Sequence, residues 1–286
     1  MDVHRHGRAG HRGSRSRCGE GSAQRESDGL RALGERWGLS TALRAIGDVA
    51  TLDGDLDGAA AAYTEAGQLL TELGHREDLS QVKLRLAEIA ARRGDLAGAR
   101  ELSASARSVA ESAGSAIDRG VAAAWWAASE VGWGEIDAAR PLLEAAEGHL
   151  ARFSPGHPAR EHMEAMVAAT GALIALADKD VPAAREQAVR SYRAAVAAQD
   201  MPLLTMASGV LAELAFALGY QERAAELLGA RTVVRGIDDP TDPTAVKLAP
   251  LLRESLGEDG FAAAYQAGKA LSRAEAIERL DPAGLG

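Results

Sequence analysis

Histidines are the first residues to weigh for chemistry, because imidazole ligates metals and moves protons near neutral pH. Seven are present, at 4, 6, 11, 75, 149, 157 and 162. The first three lie in a glycine- and arginine-rich stretch, where His4 and His6 offer only an adventitious metal contact. His157 and His162 stand five apart and flank a helix start. A zinc helix of the H-E-x-x-H kind needs its histidines at i and i+4, on one face, so this pair does not fit. The single cysteine, Cys18, excludes an internal disulfide and a cysteine-cluster metal site. No G-x-S-x-G elbow presents a serine nucleophile. Glu144 and Glu147 have the spacing of a solvated helix face. Gly268 and Lys269 are adjacent, but the residues before them do not form a GxxxxGK[ST] phosphate loop. Trp125, Trp126 and Trp133 remain, able either to stack on a ligand or to pack in a core. The chain therefore reads as a non-enzyme with no catalytic residue, no metal ligands and no cofactor.

The elements that carry these residues announce themselves as a repeat. A turn reading GDLDGAAAAY at 54–63 recurs as GDLAGARELS at 94–103 and GEIDAARPLL at 134–143. Weaker copies are KDVPAAREQA at 179–188 and GYQERAAELL at 219–228. The starts are spaced by 40, 40, 45 and 40 residues. A fixed period of this size marks stacked supersecondary units. A second glycine series, at 34, 74 and 114, is offset by 20. Each repeat is thus a helix, a tight turn, a second helix and a looser turn. Hydrophobic residues make up 47% but aromatics only 4%, with alanine prominent and no period-2 apolar runs. This composition predicts an all-α chain.

Two columns of the repeat carry the packing. Five residues after each turn start stand Ala59, Ala99, Ala139, Ala184 and Ala224. Seven residues before it stand Gly47, Ala87, Ala127, Ala172 and Ala212. Small residues at both points let paired helices approach closely. Large apolar residues precede most of the second column, at Ile46, Leu86, Trp126 and Leu211. Asp55 and Asp95 stand where an N-cap is needed, with Glu135 a weaker substitute. Gly or Ala at position 8, Gly at 15 and Ala at 20 resemble the tetratricopeptide pattern, and Tyr63 and Ala66 match its later positions in the first repeat.

The C-terminal string AAELLGAR at 224–231, with LGEDGFAAAYQAGKALSRAEAI at 256–277, is similar to the end of large bacterial regulators. These are the antibiotic-regulatory (SARP-type) and large ATP-binding LuxR-type activators. The stretch LRALGERWGLSTALRAIGDVATLDGDLDGAAAAY is similar to their helical sensor region. The resemblance spans about residues 27–280. It implies repeats that sense a ligand or partner. The phosphate loop is missing and no DNA-binding helix-turn-helix is evident, so the chain looks like the sensor part alone.

The expected fold is all-α, a right-handed solenoid of about five tetratricopeptide-like hairpins with a C-terminal helical cap. Residues 1–25 form a basic leader, expected to be disordered, with six arginines against Asp2 and Glu20. Repeats occupy 26–231, where Leu30, Leu33 and Trp37 make an apolar stripe. A solvated loop is expected over 232–243 and the cap over 244–286. In the cap, Pro250 is expected to kink or shorten a helix and Ser272 with Glu275 to form a capping box.

In stacked hairpins the first helices line the concave face. The repeat frame places Thr41, Arg44, Asp48, Gln81, Glu88 and Arg92 there. Farther along it places Val121, Ala124, Ala128, Val131, Met166, Leu173, Met206 and Phe216 there. The groove should be mixed-polar toward the N-terminus and apolar toward the C-terminus, either open or covered by the last helices. The expected partner is a protein or peptide, or a small-molecule effector, with self-association also open to such a surface. A formal charge of −9 argues against direct nucleic-acid binding. No apolar run of 18 residues is present, so no membrane span is expected, and the setting is expected to be cytoplasmic. The alternative reading is a free-standing scaffold for a peptide or protein partner.

Overall fold

The computed structural model describes Arg25 and residues 27–112, 116–154, 157–239 and 241–285. The expected basic leader lies almost wholly outside these residues. Among them no strand occurs. After a helical segment at 27–33, the helices run α1 (Arg36–Asp53), α2 (Leu56–Leu73), α3 (Arg76–Arg92), α4 (Leu96–Glu111), α5 (Ala116–Gly132) and α6 (Ile136–Leu150). They continue with α7 (Pro158–Ala177), α8 (Val181–Ala198), α9 (Met201–Ala217), α10 (Gln221–Arg235), α11 (Pro243–Lys269) and α12 (Arg273–Arg279). A short 3-10 turn, Pro282–Leu285, follows. Each helix from α1 to α10 packs on the next, α7 also packs on α5 and α9, and α12 packs on α10.

Local chemistry explains the boundaries. Asp55 and Asp95 accept hydrogen bonds from the Gly58 and Gly98 amides, each at 2.9 Å, and so cap α2 and α4. Glu135 makes no side-chain cap bond on α6. The repeated turn takes a left-handed residue, with φ of 78° at Gly54, 82° at Gly94 and 83° at Gly219. The fourth copy has Lys179 there instead, at φ 62°. A Cβ in this region is strained by roughly 1 kcal/mol. Lys179→Gly is therefore expected to stabilise the protein by about 0.5–1 kcal/mol, read as a higher urea midpoint.

The two small-residue columns are buried throughout. All nine alanines of those columns have no exposed surface, and Gly47 is buried as well. A Cβ on Gly47 would stand 2.7 Å from the Tyr63 ring, so this column is where one helix seats its neighbour's large side chain. Buried apolar side chains fall into two clusters. One joins residues from Leu39 to Ile89, and the other joins residues from Ala123 to Leu285. Helix α9 is buried nearly all round and centres the second cluster. At the N-terminal end, Leu30 packs on the first cluster while Leu33 and Trp37 are exposed, so the expected stripe is only partly used.

The C-terminal region departs from expectation in three ways. Helix α10 runs to Arg235 and α11 begins at Pro243, so the loop between them is shorter than 232–243. That loop is only partly solvated: Asp238 is exposed, but Asp239 and Asp242 are each 5% exposed. Arginines on neighbouring helices draw both carboxylates inward. Pro250 sits inside α11 without breaking it, and the kink falls at Gly257, with φ 73° and ψ 166°. The Ser272–Glu275 capping box is present. Helices α10 and α11 approach most closely at Gly229 and Gly268. A Cβ on Gly229 would stand 2.1 Å from the Tyr265 carbonyl oxygen, and one on Gly268 2.0 Å from that of Glu226.

Candidate functional site

The first helices do converge on a cavity, of about 550 Å³. Helices α1 and α3 contribute a polar wall with Asp48, Arg85, Glu88 and Arg92. Helices α7 and α9 contribute an apolar wall with Leu173, Met201, Met206 and Val210. The start of α11 closes one side through Asp242, Pro243 and Thr244. The polar wall is internally paired. Tyr63 donates to Asp48 at 2.6 Å, and Arg85 donates to Glu88 at 3.1 Å. Burial, then the bond to the Asp48 carboxylate, holds the Tyr63 hydroxyl protonated far above its ordinary range. The Arg85 guanidinium also lies 4.8 Å from the centre of the Trp125 ring.

A buried cluster of arginines and aspartates stands at the edge of this cavity. Arg92 on α3 donates to Asp239 at 3.0 Å and to Thr241 at 3.0 Å, across 147 and 149 residues of chain. It also donates to Glu88 at 2.9 Å. Arg235 donates to Asp239 at 2.7 Å and to Asp242 at 2.8 Å. Arg231 reaches Asp242 through Nε at 3.0 Å and Nη2 at 2.8 Å. Burial alone would raise the Asp242 carboxyl. The Arg231 and Arg235 guanidiniums and the Ala245 amide overcome it and hold the group below the usual carboxylate range. Arg92 Nε is buried and has no hydrogen-bond partner among the described residues.

Of the sequence candidates, Asp48, Glu88, Arg92, Leu173 and Met206 line the cavity. Arg44 and Gln81 do not reach it. Arg44 bonds Asp78 at 2.7 Å and Gln81 at 2.8 Å, tying α1 to α3. Thr41 donates back to the Trp37 carbonyl of its own helix at 3.3 Å. Met166 is fully buried in the second cluster, because α7 packs on α5, α8 and α9 and leaves that face no opening. Ala124 is buried likewise, and Phe216 is half-buried against the same cluster. Val131 and Ala128 are half-buried outside the cavity lining. The backbone of Val121 lies in α5, and its side chain lies outside the described residues.

The cluster residues Arg231, Arg235, Asp239 and Asp242 were not among the sequence candidates. Their signal was the spacing of Arg231 and Arg235, four apart on one helix face, just before an aspartate-rich loop. Two neighbouring cavities share parts of this wall. One of about 490 Å³ between α10 and α11 also touches Arg231, Arg235 and Asp242. Another, of about 360 Å³, lies between α3 and α5 against Trp125, Trp126, Gln81 and Arg85. Trp126 is buried, whereas Trp125 faces both this space and the main cavity.

None of the described histidines lines the main cavity. His157 caps α7, accepting from the Ala159 amide at 3.1 Å, and His162 lies 3.6 Å from Asp200. Among the described residues no group of three His, Cys, Asp or Glu is placed to hold a metal ion. No described helix is long and apolar enough to cross a membrane. No family model matches the chain, and no curated protein matches it.

Proposed function

We propose that this chain is a non-catalytic sensing module whose inner groove binds an amphipathic small molecule. The reading joins it to a right-handed solenoid of tetratricopeptide-like hairpins and to the sensor portion of a bacterial transcriptional regulator. The observation that carries the ligand reading is the cavity with one apolar and one charged wall. Its volume, about 550 Å³, falls within the range of small-molecule sites. A groove for a partner helix would run the length of the first helices, and here the start of α11 adds a further wall through Asp242, Pro243 and Thr244. The charged wall supports orientation of a ligand rather than chemistry, because its side chains are already paired.

The test uses the dye 8-anilinonaphthalene-1-sulfonate, an amphipathic anion of suitable size. The whole protein is expected to bind it, with a rise in dye fluorescence. Met206→Arg places a charge on the apolar wall and should weaken binding at least tenfold, about 1.4 kcal/mol. Equal binding by both proteins overturns the groove as the site. Release of phosphate from ATP by the pure protein overturns the non-catalytic reading. An adjacent reading frame encoding an ATPase or DNA-binding domain supports the regulator.

A further inference from the structure

We infer that the molecule is two bodies meeting at the α4–α5 seam, and that the Arg92–Asp239 bond is a clasp setting the closed form of the groove. This rests on the reading of the groove as a binding site. The two bodies are visible in the packing. Buried apolar residues from Leu39 to Ile89 form one cluster and those from Ala123 to Leu285 another, and among the described residues none of α4 belongs to either, although its Ala99 and Ala106 are buried. Where α4 meets α5 the contacts include an ion pair, Arg107 with Glu130 at 3.9 Å, while Arg100 of α4 pairs with Glu135 at the start of α6. A polar junction between separate cores is the ordinary setting for relative motion of two bodies.

Far from that seam, across the cavity, Arg92 of the first body grips the loop of the second. It holds Asp239 and Thr241, each at 3.0 Å. The Asp239 side chain is 1% exposed and the Arg92 side chain 8%. The grip is incomplete, because the buried Arg92 Nε is left without a partner among the described residues. Leaving a buried donor unpaired weakens the closed form, as does desolvating the two charges. The closed and open forms are thereby brought near in free energy, which is what a movable clasp requires. The main cavity takes Asp48, Glu88 and Arg92 from the first body, and its apolar side chains together with Arg231, Arg235 and Asp242 from the second. A ligand touching both walls binds the closed form better. By linkage it also tightens the clasp.

The experiment measures the distance between the bodies in the full chain. Gln68 and Glu254, both exposed, are replaced by cysteine in a Cys18→Ser background and spin-labelled. Pulsed electron paramagnetic resonance then reads the distance distribution with and without 8-anilinonaphthalene-1-sulfonate. The expected result is one short population in the parent protein. Arg92→Met adds a longer one, and the milder Thr241→Val adds a smaller share of it, so a folding defect in the first leaves the second to decide. Dye should return both variants toward the short population. Its affinity for Arg92→Met should fall about tenfold, the loss expected if roughly one molecule in ten stands closed. Identical distributions in the parent and both variants, all folded by circular dichroism, overturn the clasp even if dye binds. Distributions that lengthen in the variants while no protein binds dye support the clasp and overturn the groove as the site.

Discussion

Gly268→Ala is expected to lower the unfolding free energy by about 3 kcal/mol, the upper part of the range for overpacking a tight interface. The added Cβ would stand 2.0 Å from the Glu226 carbonyl oxygen and 2.7 Å from the Ala230 amide nitrogen. Both are backbone atoms of α10, so no rotamer change relieves the contact. Gly229 faces back in the same way, 2.1 Å from the Tyr265 carbonyl oxygen and 3.0 Å from the Lys269 amide. The two helices must separate to admit one methyl group. Helix propensity works in the other direction, favouring alanine by roughly 1 kcal/mol, and is outweighed. Gly58→Ala is the control. Its Cβ would meet only the end of the Asp55 side chain, at 2.2 Å, and the carboxylate can swing away at the cost of the α2 cap, about 1 kcal/mol, which alanine's helix propensity roughly offsets. Urea unfolding of the two variants should show a large drop in midpoint for Gly268→Ala and a small change for Gly58→Ala.

Asp242→Asn is expected to cost about 3–5 kcal/mol, the usual penalty for removing one partner of a buried ion pair. Asp242 accepts from both Arg231 and Arg235, and its other oxygen caps α11 through the Ala245 amide at 3.0 Å. The asparagine keeps the shape and the cap but leaves two guanidiniums under-compensated in a site only 7% exposed. The pH dependence has a definite sign. Asp242 has a lowered folded value, so the unfolded chain binds more protons as the pH drops. Its stabilisation is complete above the unfolded value of about 4 and is lost as pH falls through the lower folded value. Urea midpoints followed through the acid range should decline less steeply for Asp242→Asn than for the parent.

Much of the helical frame was legible in the sequence because it depends on local chemistry. The aspartate caps, the left-handed glycines and the buried alanine columns each follow from residue type and spacing within one hairpin. Asp48, Glu88, Arg92, Leu173 and Met206 come together at one cavity because they follow the same frame and share one side of their helices. Met166 obeyed the frame and failed, since whether a helix face opens on a cavity depends on which other helices cover it. Pro250 failed for a related reason, its helix tolerating the lost bond while Gly257 took the bend. Asp239 and Asp242 were hidden because nothing within seven residues of an acidic loop says that an arginine 147 positions earlier lies against it. Burial of that kind is a property of the closed chain and not of its repeats.

The Arg92 contact also fixes an order of assembly. Each hairpin joins neighbours in sequence, so its loop closes quickly and at small entropic cost. The bond from Arg92 to Asp239 closes 147 residues of chain, and its loop does not exist until α10 has been synthesised. The early repeats can therefore be folded and docked while the cavity still lacks its apolar wall. The binding surface is complete only once the loop holding Asp239 and Thr241 and the start of α11 are in place.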